Sequence, residues 1–151
     1  MKLSQAINLL ENYIQQAPEY FIRITTHELL TKPAPDKWSK QEILGHLTDS
    51  ALNNLKRFTE SQFLPQPYQV IRYQQDEVVA ANGYQRLTLE HILTLWKALN
   101  RQIVYVMKNI PEDKLHYTII TPSGESKTLE WLMIDYVEHM QHHWRQVGFI
   151  Y

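Results

Sequence analysis

Histidine is the residue type in this chain whose number and spacing could support chemistry. Three of the seven histidines lie in E-H-M-Q-H-H-W-R-Q at 138–146. His139 and His143 are four residues apart, so on a helix their side chains lie one above the other. This spacing lets two imidazoles share a metal ion. The glutamate that stands between the histidines of the zinc protease motif is missing here. The same spacing therefore also fits two partly buried, hydrogen-bonded histidines.

Helical phase separates the three histidines of this segment. The apolar side chains between residues 129 and 147 recur with the helical period and define a core face. His139 and His143 lie at the edge of that face, whereas His142 lies on the opposite side and is expected to face solvent. The pair that could reach an interior site is therefore His139 and His143.

A third histidine, His46, occupies the same kind of position on an earlier predicted helix. It lies at the boundary of an apolar stripe, and polar residues continue along that border at Ser50, Asn54 and Arg57. Such a strip is either a solvated flank or the lining of a cleft beside the core. Three neutral imidazoles from two facing helices would hold a divalent ion and leave coordination positions open for water and substrate.

The other histidines give no comparable signal. His91 lies far from the centre of its helix's apolar stripe, which predicts solvent exposure, and His27 and His116 fall in poorly periodic segments. A di-iron carboxylate bundle needs Glu-x-x-His on two helices, and no histidine here has a glutamate three residues before it. The P-loop, G-x-S-x-G and G-x-G-x-x-G motifs are also absent from the sequence. A di-iron site is therefore excluded, and these motifs offer no other active site.

The first predicted helix begins near the N-terminus. Its apolar residues recur at helical spacing, and the helix is expected to end near Pro18 because proline interrupts helical hydrogen bonding. Residues 19–30 are only weakly helical. Pro33 and Pro35 then break the chain before the next element.

The second predicted helix has the clearest start in the sequence. Ser39 and Glu42 form a capping box, in which each side chain can satisfy the free backbone N–H of the other residue. Trp38 and Ile43 occupy the positions of a hydrophobic staple. The helix is expected over about residues 40–62.

The remaining segments predict two more helices. Residues 63–86 should form a long crossover with about one helical turn, and connections of this length are often functional. Helix three is expected over about 89–110 and helix four over about 129–147, with a small hairpin at 117–128 between them. The predicted fold is all-α: an antiparallel four-helix bundle with a long crossover between helices 2 and 3 and a small hairpin before helix 4.

Composition limits the class of protein. The 151 residues include 44% apolar side chains, a domain's worth of core, so we expect one domain over residues 1–151. The formal charge of −1 lacks the basic excess of a nucleic-acid binder. There is no cysteine, no apolar run long enough to span a membrane and no signal-peptide pattern at the start. We therefore expect a cytoplasmic protein that acts on a small molecule, without nucleic-acid or membrane partners.

Two motifs together carry a family resemblance. K-W-S-K-Q-E-I-L-G-H-L-T-D-S at 37–50, followed by E-H-M-Q-H-H-W-R-Q at 138–146, resembles the DinB/YfiT-like superfamily of small four-helix bundles. The resemblance covers nearly the whole chain and implies that His46, His139 and His143 are metal ligands. It further implies a divalent ion, with nickel or zinc as the foremost choices, and a homodimer as in many members. Some relatives transfer or isomerise substrates with bacillithiol or mycothiol, and others are classed as metal-dependent hydrolases.

Two classes of function follow from these observations. The first is a metal-dependent thiol transferase or hydrolase, because an ion held by neutral ligands strongly acidifies a bound water or thiol. Asp135 and Gln146 flank the histidine pair and could orient an imidazole or the substrate, and Arg57 could pair with a carboxylate of a thiol cofactor. Ordinary solvated side chains would account equally for these three. The second class is a non-catalytic, stress-related bundle with a structural metal or none.

Overall fold

The computed structural model describes residues 1–150 and contains a bundle of four long helices. The long helices are α1 (Leu3–Arg23), α3 (Lys40–Glu60), α5 (Leu89–Asn109) and α6 (Leu129–Val147), and the short ones are α2 (Thr26–Leu30) and α4 (Gln75–Asn82). Both α1 and α3 pack against α5 and α6, so α1 and α3 occupy opposite corners. The predicted all-α bundle is confirmed. Within residues 1–150, no helix is both long and apolar enough to cross a membrane.

Helix α3 begins as its capping box predicts. The Ser39 hydroxyl accepts a hydrogen bond from the backbone N–H of Glu42, and the Glu42 carboxylate accepts one from the backbone N–H of Ser39, both at 3.1 Å. Residues 41–51 are then buried without interruption, because α2, α4, α5 and α6 all contact this helix. The sequence placed His46 at the edge of the apolar stripe, and the elements that pack on α3 bury it fully, with 0% exposure.

Helix α1 does not end near Pro18, and that prediction is wrong. The helix continues through the proline to Arg23. Proline inside a helix costs roughly 3 kcal/mol, but the apolar stripe continues past it from Ala17 to Phe21, and both of these side chains are completely buried. Burying one large apolar side chain stabilises by about 1.5–3 kcal/mol. Tertiary packing thus offsets the local tendency of Pro18 to end the helix.

The connection between α3 and α5 is more ordered than predicted. It contains strand β1 (Tyr68–Gln69), the two-turn helix α4 and a short 3₁₀ segment at Tyr84–Arg86, rather than about one helical turn. The predicted hairpin is present as β2 (Thr118–Ile120) and β3 (Ser126–Thr128), which pair antiparallel. β1 adds to it as a parallel neighbour of β2. This pairing joins segments about fifty residues apart, so local periodicity cannot reveal it.

Gly45 is required where the crossover packs on α3. A Cβ atom at this position would overlap the ring of Tyr84, which is itself buried. We expect Gly45→Ala to reduce the free energy of unfolding by about 2–3 kcal/mol, the cost of overpacking a filled core. Urea unfolding measures this value. In a Tyr84→Ala background the same substitution should cost much less, and an undiminished cost would show that the ring is not the obstacle.

Candidate metal centre

The structure brings His46, His139 and His143 together, although most of the chain separates them in sequence. The first projects from α3 and the other two from α6, and these helices pack directly against each other. One ring nitrogen from each histidine lies within 4.8 Å of the other two. The ring centroids are 4.7 Å apart for His46 and His143 and 4.6 Å apart for His139 and His143. The three histidines selected from the sequence therefore lie side by side in the structure.

The tautomer of His143 directs a lone pair into the cluster. Gln146 Oε1 lies 2.8 Å from His143 Nδ1, and an amide oxygen only accepts, so Nδ1 carries the proton of the neutral ring. The lone pair on His143 Nε2 therefore points towards His139 Nε2, 3.1 Å away. Two nitrogens bound to one zinc ion in tetrahedral geometry lie about 3.3 Å apart. The spacing of the pair fits a shared cation.

His46 supports the same interpretation. Neither of its ring nitrogens has a hydrogen-bond partner within residues 1–150, although the side chain is fully buried. A buried polar group without a partner costs about 1–3 kcal/mol, so native structures rarely contain one that has no function. A metal ion between the three imidazoles would give one ring nitrogen of His46 a partner. The donor set therefore fits a divalent ion that accepts imidazole ligands.

The electrostatic surroundings keep the three imidazoles neutral. Burial, with repulsion from His143 and His139, lowers the pKa of His46 to about 3. Burial also lowers the pKa of His139 to about 4, and it lowers the pKa of His143 despite the opposing hydrogen bond with Gln146. Only the neutral ring offers a lone pair to a metal, so the folded chain presents these ligands ready to bind.

Trp38 covers the histidine cluster and is a contact that the sequence did not reveal. Its ring lies 4.7 Å from the His46 ring at an interplanar angle of 31°, close to stacking. The sequence assigned Trp38 only to a hydrophobic staple, since nothing in its spacing points to His46. The stacked indole limits rotation of the imidazole and keeps water from that face.

A cavity of about 180 Å³ lies beside the cluster. His139 contributes to its wall, and so do Ser50, Asn54 and Arg57 from α3. The polar strip on α3 is therefore the lining of a cleft and not a solvated flank. The crossover closes the cavity with Tyr73 and other residues. Their contribution could not be read from the sequence beyond the expectation that so long a connection is functional.

The three flanking residues proposed from the sequence have different positions. Gln146 contacts His143 directly, as described above. Asp135 is solvent-exposed at the cavity wall and forms no hydrogen bond with any histidine of residues 1–150. Partial burial and the Glu138 carboxylate raise the pKa of Asp135. Arg57 lies in the cavity wall, and none of the three histidines contacts it.

A buried carboxyl group fastens the crossover to α3. Asp49, 4% exposed, accepts hydrogen bonds at Oδ1 from the Tyr84 hydroxyl and from Asn82 Nδ2, while its Oδ2 has no partner within residues 1–150. Burial raises its pKa against the opposing effect of these two hydrogen bonds. The contacts span more than thirty residues, and no spacing rule applied to the sequence would have found them.

The structure defines a class of protein: a helical bundle in which three histidines from two facing helices form a candidate metal centre beside a polar cavity. The chain belongs to the DinB superfamily, whose family model matches residues 9–147. This membership accounts for the bundle and confirms the resemblance seen in the two sequence motifs.

Known relatives agree with membership of this superfamily. The chain is 26% identical over 116 residues to "Putative metal-dependent hydrolase BH0277" of Halalkalibacterium halodurans, covering 77% of this chain and 67% of that protein. Its structure is similar to YfiT from Bacillus subtilis, described as "a probable metal-dependent hydrolase with an unusual four-helix bundle topology", with TM-score 0.83, 20% identity and coverage of 98% and 89%. It also resembles a variant of the mycothiol-dependent maleylpyruvate isomerase, with TM-score 0.77, 11% identity and coverage of 99% of this chain but 62% of that one. At these identities the structural likeness concerns the fold.

Proposed function

We propose that the chain is a metal-dependent hydrolase whose ion is held by His46, His139 and His143. The observation that carries this proposal is the convergence of three neutral imidazoles beside a polar cavity, one of them with no other partner for its ring nitrogens. The relationship to a protein named as a metal-dependent hydrolase supports it. Zinc and nickel are the proposed ions, because both accept imidazole ligands.

His139 connects the cluster to the place where a substrate would bind. It belongs to the three-histidine cluster and also lines the cavity, so a molecule in the cavity lies next to the ion site. When bound, a divalent ion with three neutral ligands supplies Lewis acidity, which makes water or a thiol nucleophilic near neutral pH. A site with three protein ligands keeps a position open, whereas a structural site is closed by four.

The neighbouring side chains orient the imidazoles. Gln146 fixes the tautomer of His143 by accepting the Nδ1 proton, which directs the Nε2 lone pair into the cluster. Trp38 packs against the His46 ring and limits its rotation. The three rings lie at interplanar angles of 70–76° to one another, so their nitrogens approach the centre from different directions.

A second candidate function is thiol transfer, and one observation favours it. A separate cavity of about 570 Å³ also reaches the cluster, where His143, Gln146 and Trp38 line it. Two cavities that each border a histidine of the cluster could admit a thiol cofactor and its acceptor separately. The structural likeness to a mycothiol-dependent enzyme is consistent with this arrangement.

Activity with and without thiol separates the two candidates. The zinc- or nickel-loaded chain should hydrolyse p-nitrophenyl acetate faster than the chelator-treated chain, and His139→Ala should remove this difference. His142→Ala is the matched control, because His142 is exposed on the same helix and outside the cluster. Consumption of bacillithiol with 1-chloro-2,4-dinitrobenzene, without ester hydrolysis, would favour the transferase. If metal has no effect on either reaction, both catalytic proposals fail.

A further inference from the structure

Arg57 is a half-buried cation without an anionic partner. Its Nη2 donates to the carbonyl oxygen of Ile71 at 2.7 Å, and its Nη1 donates to Asn54 Oδ1 at 3.4 Å. Within residues 1–150 it forms no ion pair with any carboxylate. A guanidinium group has five N–H donors, so three of them have no protein acceptor among these residues. Burial lowers the pKa of Arg57 against the opposing effect of Tyr73 and Tyr68.

The guanidinium group lies in the wall between the inner cavity and an outer groove. Its Nη1 meets Asn54, which lines the inner cavity, whereas Ile71 lines the outer groove. The outer groove already holds the carboxylate of Glu60, which pairs with Lys56 at 3.1 Å. Lys56 and Arg72 line the same groove, so an anion there would meet other cations besides Arg57. The inner cavity contains Arg57 as its one permanently charged cation and is also lined by His139, so an anion paired with Arg57 there shares a cavity with the histidine cluster.

We propose that Arg57 binds a carboxylate of the substrate at the end of the inner cavity. This inference rests on the proposed function, because it takes the inner cavity as the substrate site. The planar fork of a guanidinium group matches the two oxygens of a carboxylate. A singly charged carboxylate fits better than a phosphate dianion, because the carboxyl group of Asp135 lies in the same cavity and would repel the larger charge more strongly. The substrate class is thus a small monocarboxylate whose reacting bond lies near His139.

The test compares a carboxylate with its uncharged analogue. The full-length, ¹⁵N-labelled, chelator-treated chain is titrated with benzoate and with benzamide, and binding is followed by the indole N–H signal of Trp131, which lines the inner cavity. We expect benzoate to bind at least about tenfold more tightly than benzamide, as a charge-assisted pair predicts. Arg57→Met should abolish this preference, while benzamide binding stays unchanged. Arg57→Lys keeps the charge and should retain part of the preference.

A control variant and a comparison with and without zinc separate carboxylate binding by Arg57 from the alternatives. Lys56→Met removes the neighbouring, exposed cation of α3 and should leave the benzoate preference intact. A preference that survives in Arg57→Met, or shifts confined to the backbone amides of the outer groove, would overturn the inference. So would benzoate binding that requires added zinc, or tighter binding of inorganic phosphate than of benzoate. Because the metal-free chain is used, intact benzoate preference without hydrolysis would contradict only the proposed function.

Discussion

Replacing His46 with alanine should lower the affinity of the chain for zinc or nickel by more than about 100-fold, since even partners of metal ligands contribute 10–100-fold. His46 supplies the only proposed ligand from α3, and the two remaining histidines on α6 would form an incomplete site. Metal content after dialysis and competition with a chromogenic chelator measure the loss. The thermal midpoint gives a second readout, because an ion that binds only the folded chain raises it.

The chain offers a matched control for this substitution. His142→Ala removes a histidine next to the cluster that is exposed and does not belong to it, and its metal affinity should stay close to that of the wild-type chain. His139→Ala should resemble His46→Ala. Equal metal content in wild-type and His46→Ala protein would contradict the three-histidine site, and a loss in His142→Ala as large as in His46→Ala would move the site to the outer face of α6.

The metal-free chain should become less stable in acid because of the same histidine. The pKa of His46 is about 3 in the folded chain and 6.5 as its ordinary value, so the unfolded chain takes up the proton first as the pH falls. The neutral ring makes its full contribution to the free energy of unfolding above pH 6.5. This contribution is lost progressively as the pH falls towards about 3. Between pH 7 and pH 5, His46 alone should lower the free energy of unfolding by about 2 kcal/mol. His139 adds a loss of the same sign, with a folded pKa of about 4.

Urea unfolding of chelator-treated protein at several pH values measures this dependence. His46→Leu removes the titrating ring, so its free energy of unfolding should fall less steeply between pH 7 and pH 5 than that of the wild-type chain. The slopes are compared, since the substitution also changes packing. Exposed His91→Ala serves as the control and should keep the wild-type slope. If His46→Leu and the wild-type chain have parallel curves, the ring is not held neutral in the folded state.

The same lowered pKa values change the expected pH dependence of metal binding. Ordinary imidazoles would begin to lose metal to protons around or below about pH 6. In the folded chain His46 and His139 remain neutral to about pH 4 or below, so proton competition at these two ligands begins at lower pH. Acid should therefore release the metal largely by destabilising the fold. The burial that produces this shift belongs to the tertiary structure, and the sequence contains only the ordinary value.

Much of the bundle was predictable because its signals are local. The capping box at Ser39 and the apolar period of α6 depend on residues within one or two turns, and both elements begin at the predicted residue. The end of α1 was not predictable, because Pro18 is a local signal to stop and the packing of Phe21 that overrides it is not local. The order within the crossover was missed for the same reason, since β1 depends on a partner strand about fifty residues away.

The sequence by itself determined which histidines could meet, because helical phase is set by position along the chain: His139 and His143 share one side of α6, and His142 points away. Only the tertiary structure decided how that site is built. Packing of α3 against α6 leaves His46 fully buried without a partner, Trp38 lies on its ring, and the crossover turns the polar border of α3 into a cavity wall. Burial, and the pKa values that follow from it, arises from neighbours distant in sequence, which no periodicity within one helix can specify.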